Sequence, residues 1–176
     1  MTTQTETLAN RDGEFMPSAS EEYNRALQRS REVAAQCGSG KVLATHLLVT
    51  LLEDPECSSI FERYNYDPEA IKSSLLGKST PRLETPNVEM GFIAELAQDL
   101  VFDRCQELEI VEMKPLHLLN SLIDALDCTA PAKFAIEGDV DVFLLLNEID
   151  FTRIRIRSEV LVRYSSKTPK NTRVIK

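Results

Sequence analysis

The chain has few groups that carry chemistry. Two histidines, His46 and His117, are its entire stock, and no H-E-x-x-H segment surrounds them. The four cysteines, Cys37, Cys57, Cys105 and Cys128, form no C-x-x-C pair, which removes the usual zinc and thioredoxin-like signatures. Each lies in an apolar helical stretch, where a reduced thiol behaves as a small buried hydrophobe. No run approaches the ~20 apolar residues a membrane span needs, and Met1 to Met16 lacks a secretory h-region. A soluble cytoplasmic protein is the expectation. The one glycine-rich lysine segment, Gly38-Ser39-Gly40-Lys41, has Ala35 and Val42 where a phosphate loop needs Gly and Ser or Thr. It reads as a helix stop. No nucleophile, base and orienting acid stand at a recognisable spacing, so neither enzymatic activity nor a cofactor or metal is expected.

What the chain has is a repeat. Thr45 to Ser58 (THLLVTLLEDPECS) returns 71 residues later as Leu116 to Thr129 (LHLLNSLIDALDCT), with His46/His117, Leu47/Leu118, Leu48/Leu119, Leu51/Leu122 and Cys57/Cys128 identical. Two copies at so long a period indicate one domain of two similar halves rather than an open solenoid. A length of 176 residues with 43% hydrophobic and 27% charged side chains suits one globular domain with a real core.

The first helix should begin at the S-x-x-E signal Ser18 to Glu21, carry Tyr23, Ala26, Leu27, Val33 and Ala34 on one stripe, and stop at Gly38. A second helix holds Leu47, Leu48, Leu51 and Leu52 and ends at Pro55; a short third groups Cys57, Ile60, Phe61 and Tyr64. A fourth starts at Asp67-Pro68, an N-cap with proline at the first helical position. After the proline-bearing connector 78–87 the order repeats, with a short element around Pro131 to Ile136. The expected architecture is all-α: about eight helices in two four-helix repeats, 18–77 and 88–150, after a flexible arm over 1–17.

Charge divides the chain. Residues 1–150 carry 12 basic and 27 acidic side chains, while 151–176 carry 8 basic and one acidic. The alternation Arg153-Ile154-Arg155-Ile156-Arg157 has strand periodicity, and Val160-Leu161-Val162 favours extension. A basic tail from 151, ordered as a strand over 152–164 and disordered beyond 165, is therefore expected. Arg153, Arg155 and Arg157 become candidates for docking an acidic partner or the acidic body. A nucleic-acid role for this tail is the rival reading, opposed by the acidic body and the tail's want of interleaved aromatics.

The repeated pattern resembles the Clp N-terminal (Clp repeat) domain of Hsp100 unfoldases. The first copy carries the likeness through Ala34, Gly38, Val42, His46, Leu47, Leu48, Leu51 and Leu52. The second does so through Ala97, Cys105, Met113, His117, Leu118, Leu119 and Leu122. The likeness spans about residues 20–150 and implies a double-repeat helical module that binds adaptors, substrates or the unfoldase without doing chemistry. The chain shows no ATPase motifs, so it resembles a stand-alone copy of that module, the alternative being a piece of a larger AAA+ unfoldase. By position, the resemblance points to Ser20, Thr45, Met90 and Leu116 as partner-binding surface and to His46 and His117 as structural. In some members a Glu ahead of each histidine holds the guanidinium of phosphoarginine. Here Thr45 and Leu116 stand in that place, and Glu109 replaces the glycine expected after the second copy's first helix.

Overall fold

The computed structural model describes residues 13–77, 87–129, 133, 138 and 140–166. Residues 1–12 of the arm, the connector 78–86, all of 131–136 except Lys133, and the tail from 167 on lie outside the described residues. The first half runs β1 (Ser18–Ala19), α1 (Glu21–Gln36), β2 (Lys41–Val42), α2 (Ala44–Leu51), α3 (Pro55–Arg63) and α4 (Pro68–Leu76). The second runs β3 (Glu89–Met90), α5 (Phe92–Glu107), β4 (Glu112–Met113), α6 (Pro115–Asp127) and α7 (Val140–Glu148), followed by α8 (Phe151–Ser166). The chain is all-α, as its periodicity indicates.

Start and stop signals act locally. Asp54 and Asp67 accept backbone N–H bonds at the starts of α3 and α4, each followed by proline at the first position. Pro55 therefore opens α3 rather than merely closing α2. The cap of α1 is Ser20, whose Oγ accepts the Tyr23 N–H at 3.0 Å, not Ser18. Ser18 is committed to β1, where its N–H reaches the Val111 carbonyl.

The 71-residue offset recurs in the hydrogen bonds. At the end of α1, Gly38 N–H bonds Ala35 O and Ser39 N–H bonds Ala34 O. At the end of α5, Glu109 bonds Gln106 and Ile110 bonds Cys105 in the same way. Both are Schellman endings, which place the residue after the cap in the left-handed region. Gly38 has φ +72°, and Glu109 adopts φ +52° without glycine's freedom.

The strands exchange between halves. β1 pairs in parallel with β4 (Ser18 with Glu112, Ala19 with Met113), and β2 with β3 (Lys41 with Glu89, Val42 with Met90). Each half thus lends its opening strand to the inner strand of the other. The leucine-rich α2 and α6 pack on α1 and α5 respectively and touch each other between the halves. Leu47, Leu48, Leu51, Leu118, Leu119 and Leu122 are all buried there. Burying one leucine is worth roughly 1.5–3 kcal/mol, so the six together are a large favourable contribution to the core.

The strand expected over 152–164 is a helix. Phe151, Ile154, Ser158 and Val162 are buried at three and four residue spacing, and Ile154 is fully covered while Ile156 is 56% exposed. A strand would have put both isoleucines on one face. The five-residue alternation is too short to outweigh the helical stripe around it, and packing on α6 and α3 overrides the β-branched propensity of Val160 and Val162. α8 shares the buried cluster of the repeats, so ordered structure continues past residue 150. Two of the four cysteines, Cys37 and Cys128, diverge from the expected burial. Cys57 and Cys105 are buried, Cys37 is half-buried, and Cys128 is exposed at the end of α6.

Candidate functional site

The side chains singled out by position are mostly inside. α2 is enclosed by α1, α4, α5, α6 and α7, so every residue over Ala44–Leu51, Thr45 included, is buried. Leu116 is 2% exposed, Ser20 is buried while it caps α1, and Met90 is half-buried in β3. Thr45, Leu116 and Ser20 are therefore not surface positions, a correction that follows from the central place of α2 and α6.

His46 and His117 are the third residues of α2 and α6. Nδ1 of His46 accepts the Leu43 N–H at 3.0 Å, and Nδ1 of His117 accepts the Lys114 N–H at 2.8 Å. Leu43 and Lys114 bring no oxygen to cap their helices, so the histidine supplies the reciprocal half of a capping box. Burial pushes both imidazoles down to about 4, with Lys114 adding repulsion at His117. Among the described residues no cluster of three or more His, Cys, Asp or Glu could hold a metal.

Three of the described tail arginines are paired with carboxylates of the chain itself. Arg155 meets Asp124 at 3.0 Å and Asp127 at 2.8 Å, Arg153 meets Asp150 at 2.9 Å, and Arg163 meets Glu159 at 2.7 Å. Arg104 of α5 also reaches Asp124. Burial raises the Asp124 carboxyl against the pull of these two arginines. Arg157 is half-buried, with its Nε covered and lacking a hydrogen-bond partner.

The described surface is concave where three segments converge: the first turns of α1, the α2–α3 junction, and the β4–α6 junction. A groove of about 360 Å³ is lined by Glu22, Arg25, Ala26, Arg29, Thr50, Glu53, Asp54, Pro55 and Pro115. It shares Glu22, Asp54 and Pro115 with a second depression of about 480 Å³, to which Glu21, Glu56, Glu112 and Lys114 also contribute. Ala26, Pro55 and Pro115 supply an apolar floor, and the rim is charged. Arg25 pairs with Glu21 at 2.7 Å, and Arg29 with Glu53 at 3.2 Å and Glu32 at 3.4 Å. Such a surface can hold side chains by apolar contact and charge. Sequence reasoning missed it because its residues, taken singly, read as solvent faces. The available signal was Glu22, Arg25 and Arg29 on one face of α1, where the second copy has Ile93, Leu96 and Leu100.

With helices, exchanged strands and groove in place, the class is a double-repeat helical domain. The model of the Clp repeat N-terminal domain matches residues 18–109. The chain belongs to that family. Among solved structures it is similar to the Hsp104 N-terminal domain from Candida albicans, at 13% identity and a TM-score of 0.62, covering 82% of this chain and 91% of that one. A chain from a malarial protein secretion system is similar at 18% identity and a TM-score of 0.62, covering 86% of this chain and 97% of that one. At such identities the likeness shows the fold alone. No curated protein matches the chain by sequence. No described helix is long and apolar enough to cross a membrane.

Proposed function

We propose that this chain is a non-catalytic protein-binding module of Clp/Hsp100-type unfolding and degradation, working in the cytoplasm by docking an adaptor, a substrate or the unfoldase. The observation that carries the reading is the groove between α1, α3 and the start of α6, an apolar floor within a charged rim on a domain of this family. The rival nucleic-acid role for the tail is disfavoured, because Arg153, Arg155 and Arg163 already face the domain's own carboxylates. The test is a titration of the purified chain, carrying a fluorophore on exposed Cys128, with an Hsp100 hexamer and with reduced, unfolded lysozyme. Saturable binding to either, at a Kd below about 100 µM, supports docking. No anisotropy change with both partners would contradict it.

A further inference from the structure

We infer that the groove takes a cationic, extended segment of a partner protein, and that each chain binds one such segment despite its two repeats. This rests on the docking reading above and adds the chemistry of the partner. Around the joined depressions stand six carboxylates, Glu21, Glu22, Glu53, Asp54, Glu56 and Glu112, against Arg25, Arg29 and Lys114. Two of those three bases are already tied to carboxylates. Glu22, Glu56 and Glu112 are exposed and form no ion pair with another described residue.

Part of this acidity has a local cause. α1, α3 and α6 all begin here, and each helix N-terminus is equivalent to about half a positive charge. Three such ends offset only about half of the acidic excess, so a net negative potential remains over the floor. Two of the three helix ends offer an anion little. Asp54 already accepts the Glu56 and Cys57 N–H groups of α3, and Pro55 and Pro115 have no N–H to offer. For the same reason the two prolines donate no hydrogen bond to a partner's backbone, and the groove meets a partner mainly through side-chain charge at the rim and apolar contact at the floor. The volume suits a few side chains of an extended segment rather than a folded surface.

The count of one follows from the repeat. At the positions matching Glu22, Arg25 and Arg29 the second half has Ile93, buried, and Leu96 and Leu100, packed against the core. Asp54 and Pro55 are matched by the buried Ala125 and Leu126. The charged groove therefore exists in one copy alone among the described residues.

The test uses the full chain and two fluorescein-labelled decapeptides, one alternating arginine with leucine and the other glutamate with leucine. The cationic peptide should bind as one copy per chain, and weaken at least about tenfold between about 50 and 300 mM NaCl. The exposed substitutions Glu22→Gln, Glu56→Gln and Glu112→Gln, made together, should weaken it by a similar factor without altering the thermal midpoint. Equal binding of both peptides, mutually competitive, would overturn the charge preference while leaving groove docking intact. Two peptides per chain would overturn the single site. Tighter binding after removal of residues 167–176, which carry Lys167, Lys170, Arg173 and Lys176, would assign the groove to the chain's own tail and also overturn the proposal.

Discussion

The histidine caps make the fold sensitive to mild acid, by an amount the structure supplies. His46 and His117 are each 5% exposed and hold their proton affinity at about 4, against 6.5 in an unfolded chain. The fold keeps the neutral form, whose Nδ1 lone pair accepts the cap N–H. Between pH 6.5 and 4 the unfolded chain therefore binds protons that the folded chain does not. The stability is complete above pH 6.5 and is lost as pH falls through this window. At about 1.4 kcal/mol per pH unit, each histidine removes about 2 kcal/mol by pH 5, so the pair removes about 4 kcal/mol. That is a large share of a usual total of roughly 5–15 kcal/mol. Urea unfolding followed by circular dichroism from pH 7.5 to 5 measures the slope. The control is His46→Gln with His117→Gln, because glutamine is at home at this position of a capping box and accepts the same N–H without titrating. The double variant should fold at pH 7 and lose most of the pH slope. An unchanged slope would refute the assignment of these protons to the two caps. Replacement by alanine instead strands a buried N–H and should cost about 1–3 kcal/mol per site at pH 7.

Three further outcomes follow from particular contacts. A Cβ on Gly91 would stand 2.7 Å from the Val42 carbonyl that its own N–H bonds at 2.9 Å, so Gly91→Ala should force β2 from β3 and cost about 1–3 kcal/mol in urea unfolding. Glu109→Gly should raise the thermal midpoint slightly, gaining about 0.5 kcal/mol as relief of the left-handed φ exceeds glycine's added chain entropy. Ser158 Oγ donates to Asn120 Oδ1 at 2.8 Å in the α6–α8 seam, where Asn120 Nδ2 already lacks a partner. Ser158→Ala should therefore cost about 1–3 kcal/mol, whereas Ser158→Ala combined with Asn120→Leu should recover most of it, as measured by urea unfolding.

Much of the fold was legible because its signals are local. Asp-Pro pairs start α3 and α4, the Leu-Leu doublets fix the buried faces of α2 and α6, and the offset between His46 and His117 announces two halves. The start of α1 moved from Ser18 to Ser20 because strand pairing with residues 93 positions away claims Ser18, and no local signal reports that. The nature of α8 was hidden for a related reason: its inward face is defined by Asn120 and α3, not by its own five-residue alternation. Thr45 and Leu116 looked like surface because position in a repeat says nothing about how the halves enclose one another. The groove was the least legible feature, since Glu22, Asp54 and Pro115 meet only after the second half folds against the first.

The most direct test of groove docking is a residue-resolved NMR titration of the ¹⁵N-labelled chain with reduced, unfolded lysozyme. Amide shifts should concentrate at Glu22, Arg25, Ala26, Arg29, Asp54, Glu56 and Lys114, with the α8 arginines unmoved. Shifts gathered on α8, or spread evenly over the domain with the groove silent, would contradict it.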